Sequence, residues 1–252
     1  MTVAPSAARF FYSAPAPCPY LPGRVERRIF ADLTGPRAPH GYDLLSEAGF
    51  RRSLGFAYRP ACPGCNACVA VRIPAADFTD DRKWRRVRRT NADVTTTPRP
   101  AVATAEQYAV FERYQQGRHA EGEMARMDFA DFRTMVEVGT LDSQLVEFRD
   151  SAGELLGGCL VDRLGVGLSA VYSFYDPAQR QRSLGSYMIL WLVDECRRLG
   201  LPHVYLGYWI AECRKMAYKT RFRPIEALTR DGWRRIGPNE TLGDTSPPSR
   251  DR

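Results

Sequence analysis

The sequence predicts an α+β protein in two parts: a smaller cysteine-containing N-terminal domain and a larger C-terminal domain of alternating helices and strands. Three observations carry this. From residue 105 onward, helical and strand periodicities follow one another with turn residues between them. Ahead of them, two short apolar runs flank a knuckle formed by Cys62, Cys65 and Cys68. Between the halves lies Thr95 to Thr104, a Thr/Pro-rich stretch without a charge pattern. The expected division is a flexible N-terminus at 1–17, an N-terminal domain at 18–97, a linker at 98–104, a C-terminal domain at 105–235 and a disordered tail at 236–252.

At 252 residues the chain is long enough to bury a real core, and 44% hydrophobic content is ordinary for a globular protein. No apolar run approaches the roughly 20 residues that cross a bilayer. Pro5, Pro15 and Pro17 interrupt the N-terminus where a signal peptide needs an apolar run. No membrane partner is expected. Seven cysteines without a secretory signal point to reduced thiols or metal ligands in the cytoplasm. The net charge of +7 is clustered, which favours an anionic partner such as nucleic acid.

In the first half, Cys18 to Arg24 (C-P-Y-L-P-G-R) is a rigid turn, because two prolines and a glycine forbid a helix. Val25 to Leu33 reads as a strand, and Tyr42 to Arg51 as a short helix stopped at Gly49. Phe56 to Pro74 reads as strand, knuckle, strand. Its repeated CxxC spacing brings thiolates close enough to share zinc or an iron–sulfur cluster, with Cys18 as a fourth ligand. The alternative is metal-free cysteines packed in a tight loop. Arg82 to Arg89 then carries six basic residues in eight: Arg82, Lys83, Arg85, Arg86, Arg88 and Arg89. Trp84 and Val87, three apart, share one helical face. So many like charges repel unless an anion neutralises them, and Arg grips phosphate bidentately. The segment is therefore either an RNA-backbone contact or a solvated helix face.

In the second half, Glu106 to His119 and Asp128 to Val138 show helical spacing. Strands follow at Gln144 to Arg149, Leu155 to Asp162 and Val166 to Tyr175. A long amphipathic helix runs from about Ser183 to Leu199 and stops at Gly200. His203 to Ile210 is an apolar interior strand, Cys213 to Phe222 a short basic helix, and Pro224 to Thr229 a closing strand. The stretch Val171 to Tyr187 is the expected seat of the chemistry. A strand ends there beside a basic loop that feeds a helix N-terminus, where free N–H groups and the helix dipole favour a phosphate or a developing negative charge.

This element order resembles the GNAT acyltransferases, in which the acyl donor sits where two central strands splay apart, next to the loop before the long helix. That family marks its phosphate loop R/Q-x-x-G-x-G/A. Arg182-Ser183-Leu184-Gly185-Ser186-Tyr187 matches it except at Tyr187, where a phenol crowds the approach of a coenzyme A pyrophosphate. Six blocks sharpen the resemblance: C-P-Y-L-P-G-R, Y-R-P-A-C-P-G-C-N-A-C, Y-S-F-Y-D-P, R-S-L-G-S-Y, L-G-Y-W-I and C-R-K-M-A-Y-K. Together they resemble the bacterial aspartate/glutamate leucyltransferases, relatives of the eukaryotic arginyl-tRNA–protein transferases, over about residues 9 to 235. The resemblance implies transfer of leucine from leucyl-tRNA to the N-terminal Asp or Glu of a protein, marking it for degradation, with no required cofactor. The eukaryotic relatives carry two plus two cysteines; this chain has one and then three.

Such a reaction is aminolysis of an ester. It needs an acceptor for an ammonium proton, a cradle for the oxyanion and a donor to the leaving oxygen. Asp176 is either the group that orients or deprotonates the amine, or an Asp-Pro turn former. Of Tyr172 and Tyr175, which face opposite sides of their strand, one can reach the groove. Tyr187 either protonates the leaving oxygen or packs. Backbone amides from Ser183 to Ser186, Gly185 among them, would hold the terminal phosphate or the oxyanion. Lys215 and Lys219, four apart with Tyr218 beside them, are candidates for the acidic side chain of the acceptor, with Arg182 and Arg214 as alternatives. Tyr208 belongs to the same substrate region. Trp209, Met216 and Phe174 are candidates for the leucine pocket, and His119 is a further site candidate. Two rivals remain: a coenzyme A-dependent GNAT acetyltransferase, and a non-enzymatic RNA-binding protein.

Overall fold

The structure, a computed structural model, describes residues 9–35, 38–138, 141–237 and 240. In chain order, β1 (Phe10–Tyr12), β2 (Ala16–Pro17), β3 (Val25–Glu26) and β4 (Arg28–Asp32) precede α1 (Ala38–Glu47). Then come β5 (Arg51–Ser53), β6 (Phe56–Pro60), β7 (Val69–Pro74), α2 (Arg82–Thr90) and β8 (Thr95–Pro100). Next are α3 (Ala105–His119), α4 (Phe129–Glu137), β9 (Ser143–Arg149), β10 (Leu155–Leu164) and β11 (Gly167–Tyr175). The chain closes with α5 (Leu184–Leu199), β12 (His203–Trp209), β13 (Glu226–Thr229) and β14 (Gly232–Arg235).

Capping sets the helix ends where the sequence places them. Thr104 and Gln107 form a capping box at the start of α3, and Asp128 with Asp131 one at α4. Gly200 ends α5 in the left-handed conformation. Strands β8 to β14, joined by β7, build one eight-stranded sheet in the order β14-β13-β7-β12-β11-β10-β9-β8. Helix α5 lays Met188, Ile189, Leu192 and Val193 on one face of it, beside Trp84 and Val87 of α2. Helices α3 and α4 cover part of the other face through Val110, Phe111, Phe132 and Val136. The rest of that face is taken by α1 and by a four-stranded sheet, β1-β4-β6-β5, through Ala31, Ala57 and Tyr42. The α+β class and the expected helix–strand order of the second half are both present.

The expected boundaries are not all observed. Residues 98–104 do not form a linker from end to end, because Thr95–Pro100 pairs along β9. Its two prolines fit there because β8 is an edge strand, where a missing N–H costs no ladder bond. Strand β7, from the expected N-terminal domain, lies in the sheet interior between β12 and β13. The expected flexible N-terminus contains β1 and β2, paired with β4 and β3; residues 1–8 lie outside the described residues. In the expected tail, Ile236 is buried in the core, and 241–252 lie outside the described residues. The predicted helix ending at Arg51 stops at Glu47, and Arg51 opens β5. No helix among the described residues is long and apolar enough to cross a membrane.

Candidate functional site

Strands β11 and β12 are parallel neighbours, but they pair only from Gly167–Ser169 to His203–Tyr205. Beyond that the backbones part. The carbonyls so released need donors, since a buried unpaired carbonyl is costly. Arg51 supplies them. Its guanidinium donates to Leu206 O at 3.1 Å on one side of the gap, and to Ala170 O at 3.2 Å and Val171 O on the other. Gly207 makes room, because a Cβ there would stand 1.9 Å from Arg51 Nη1, and its φ of +73° suits glycine. The splay is thus held by a cation from the small sheet, and among the described residues no carboxylate pairs with it.

At the mouth of the splay, β11 delivers Tyr172 and Tyr175 to different neighbours. Tyr172 receives a hydrogen bond from Gln115 Nε2 at 2.6 Å within the α3 packing. Tyr175 packs against Tyr114 at 4.8 Å between ring centroids, and a Cβ on Gly185 would meet its ring at 3.1 Å. Tyr114 leads on to His119, with Nε2 3.3 Å from the phenol oxygen. Burial first, then Lys215 and Arg118, holds the His119 imidazole below its ordinary value, so it is neutral at pH 7 and able to accept a proton. Gly117 lets the end of α3 approach the turn after β11, since a Cβ there would lie 2.9 Å from Pro177. The turn itself is closed by Asp176, whose Oδ1 accepts from Ala178 N at 2.9 Å.

The loop then enters α5 through Ser183, which is left-handed at φ +53° and gives no side-chain cap. Ser183 N and Ser186 N bond within the chain. The amides of Leu184 and Gly185 donate to no protein acceptor among the described residues, so two of the four expected amides remain for an anion. Fully buried Asn91, just past α2, donates to Val87 O and Arg182 O at 2.8 Å each, which ties the basic helix to this loop. Arg182 is committed to Asp93 by two bonds of 2.8 and 2.9 Å, not free for a substrate. Arg88 is likewise held, with Nε to Asp80 at 2.6 Å and both terminal nitrogens on Asp194. Arg82, Arg85, Arg86 and Arg89 are exposed, and exposed Lys83 lies over the Trp84 ring at 3.9 Å.

With this geometry, the comparisons decide the family. Models of the arginine-tRNA-protein transferase N terminus and C terminus match residues 16–86 and 106–229. An aspartate/glutamate leucyltransferase of Paramagnetospirillum magneticum is 54% identical over 92% of this chain and 95% of its own. The chain belongs to the arginine-tRNA-protein transferase family. A second aspartate/glutamate leucyltransferase, from Rhodospirillum rubrum, is 55% identical over 89% of this chain and 92% of its own. Among solved structures, L-PGS from Bacillus licheniformis aligns with TM-score 0.44 and 13% identity over 71% of this chain and 62% of that one.

The remaining candidates of this transferase are not all at the splay. The predicted basic helix at Cys213 to Phe222 is a short 3-10 turn at Ala217–Arg221, so Lys215 and Lys219 do not share a helical face. Lys215 and Arg214 are exposed. Lys219 is buried, donates to Tyr208 O, and is held well below the ordinary lysine value by burial first and by Arg51 second. It is not a free cation for an acidic side chain. Tyr208 is buried, its hydroxyl facing Gly49 O and Tyr58 O at 2.8 and 2.9 Å, and so fastens β12 to the small sheet. Tyr187 packs on Phe148 of β9 with its hydroxyl facing Thr96 of β8, two and three strands away from β11. It does not stand over the splay. Phe174 is core; Met216 packs with Cys68 and Ile210; Trp209 has a buried Nε1 without a hydrogen-bond partner among the described residues; Tyr218 is 40% exposed near Arg51. Arg51, Tyr114 and Gln115 were not singled out from the sequence. Tyr114 and Gln115 read as part of a helical stripe, and Arg51 as a helix end.

Cys18, Cys62, Cys65 and Cys68 gather in the knuckle as free thiols. Burial first, then the other three sulfurs, pushes Cys68 up to about 12. Cys65 accepts from Arg24 at 3.2 Å and Cys62 accepts from Arg27 N at 3.4 Å. Among the described residues no three Cys, His, Asp or Glu side chains converge to hold a metal ion.

Proposed function

We propose that this protein transfers leucine from leucyl-tRNA to the N-terminal Asp or Glu of a protein, marking the product for degradation. The observation that carries the reading is the convergence at the β11–β12 splay of neutral His119 and the open start of α5, joined by Asn91 to a helix with an exposed arginine face. The relatives' name, aspartate/glutamate leucyltransferase, supports leucine as the group moved and Asp or Glu as its acceptor.

The chemistry follows from the parts. The acceptor's α-amine attacks the leucyl carbonyl, a C–N bond forms, and the C–O bond to the terminal ribose breaks. His119 takes the ammonium proton, directly or through Tyr114, and returns it to the ribose oxygen as the C–O bond breaks. The Leu184 and Gly185 amides face the terminal phosphate or the oxyanion. Exposed Arg214 and Lys215, the latter close enough to act on His119, serve the acceptor's carboxylate. An aminoacyl ester is already activated, so positioning supplies much of the rate. Arg51 already occupies the carbonyls that the splay exposes, which speaks against a coenzyme A arm lying there. Charged tRNA places the reaction in the cytoplasm.

The test is radiolabelled leucine supplied as leucyl-tRNA to two peptides, one with N-terminal Asp and one with N-terminal Ala. Label is expected on the first alone. Label on neither, or acetyl transfer from acetyl-coenzyme A instead, would reject the reading.

A further inference from the structure

The small sheet has two unlike faces. In an antiparallel ladder, directly opposed residues share a face. Ala31, Ala57 and Arg52 form one such row, buried against the core. The adjacent row runs Phe11, Phe30, Tyr58, Arg51 across all four strands. Its aromatic members open to solvent: Phe11 is 45% exposed, Phe30 and Tyr58 are half-buried, and Phe56 on the same face is 36% exposed. Phe11 and Phe30 stack at 5.4 Å and 12°, Phe30 lies 6.1 Å from Tyr58, and Tyr58 lies 5.8 Å from Tyr208 on β12. The Arg28 guanidinium sits over the Tyr58 ring at 5.1 Å while bonded to Glu26. The inner end of the row is Arg51, whose guanidinium lies in the β11–β12 splay.

Exposed rings of this size are costly on a surface unless something covers them. A row of ring faces, arginine at its inner end, leading into the acyl site has the chemistry of a platform for unpaired bases, which stack on aromatics whatever their sequence. We infer that this face binds the unpaired 3′ tail of the aminoacyl-tRNA, stacking its bases on Phe11, Phe30 and Tyr58 so that the esterified ribose arrives at the splay. The inference rests on the proposed aminoacyl-tRNA donor. It divides the work with α2, whose exposed arginines follow the backbone while the rings hold the tail.

The experiment uses an acceptor-stem RNA hairpin with and without its unpaired 3′ tail, bound to the full chain and followed by fluorescence anisotropy. Wild-type protein is expected to lose about tenfold in affinity when the tail is removed, the order of one stacked base. Phe11→Leu and Phe30→Leu keep an apolar side chain in a paired strand, so circular dichroism should be unchanged. Each should weaken the tailed hairpin several-fold and leave the tail-less one unaffected. Arg86→Ala with Arg89→Ala should weaken both hairpins alike. Equal binding of the two hairpins by wild type, or ring variants indistinguishable from it, overturns the platform. If leucine transfer persists in that case, the donor reading stands without it. A tail effect that responds to the rings, in a protein that accepts no leucyl-tRNA, keeps the platform and removes the donor reading.

Discussion

Asp176, in the turn after β11, and His119, at the end of α3, are both candidates for the base. The Asp176 carboxylate spends one oxygen on Ala178 N, the bond that shapes the turn after β11. Asparagine keeps that acceptor and removes the charge. Asp176→Asn is therefore expected to retain leucine transfer within a few-fold, whereas removing a general base costs about a hundredfold or more. A loss of that size would make Asp176 the base. For His119 the expectation is reversed: His119→Gln should lower kcat by about a hundredfold at pH 7. The pH profile separates a base from a packing residue. Burial, then Lys215 and Arg118, lowers the folded pKa, so the neutral imidazole persists below the ordinary histidine value of about 6.5. The acceptor's α-amine itself titrates at about 7.7–8.0, so the informative quantity is the ratio of wild-type to His119→Gln rates, which should stay constant down to about pH 6.5 and fall only below it. A ratio that falls already above pH 7, or one that does not change with pH, would exclude His119 as the base.

At the scale of elements, α2 shows why a segment of like charges folds. Its N-cap Asp81 accepts from Trp84 N, and Trp84 stacks on Phe222 at 4.4 Å. Burying Trp84 and Val87 contributes roughly 1.5–3 kcal/mol each, against a few tenths of a kcal/mol for each like-charge pair one turn apart. Packing wins, and the charges are left to face outward or find carboxylates. Arg82, Arg86 and Arg89, spaced four and three apart, share the exposed stripe. Replacing these three by Ala should weaken tRNA binding and reduce the slope of log affinity against log salt by about two to three. Arg88→Ala should leave the slope unchanged and cost about 1 kcal/mol of stability, because Arg88 is bound to Asp80 and Asp194. A slope that responds to Arg88 and not to the three would reverse the assignment. The buried pattern of the helix was legible in Trp84 and Val87. The neutralisation of Arg88 was not, because Asp194 is 106 residues away in sequence.

At the scale of the whole molecule, periodicity located the elements but not their neighbours. The helices and strands from residue 105 onward were readable because each carries its own period and its own stop. Membership of the large sheet was not, because a strand's partners leave no local mark. Val69–Pro74 is buried at nearly every position, the pattern of an interior strand, and β12 and β13 both pair with it. The same holds for the site. Tyr172, Tyr175 and Gly185 lie in the stretch that ends β11 and begins α5, so sequence reasoning reached them; Arg51 enters from 119 residues away. A consequence is that the C-terminal half is not a self-sufficient unit. A chain limited to 105–235 would leave β12 and β13 without β7 between them and β9 without β8, and would uncover the surface that Val69, Val71 and Ile73 fill. It would also release the carbonyls of Ala170, Val171 and Leu206 from Arg51. Unpaired interior edges invite association with other chains. The fragment should therefore show no cooperative thermal transition and should aggregate, while the full chain melts cooperatively. Dispersed amide resonances and a sharp transition in the fragment would show that β7 and Arg51 are additions to a fold complete without them.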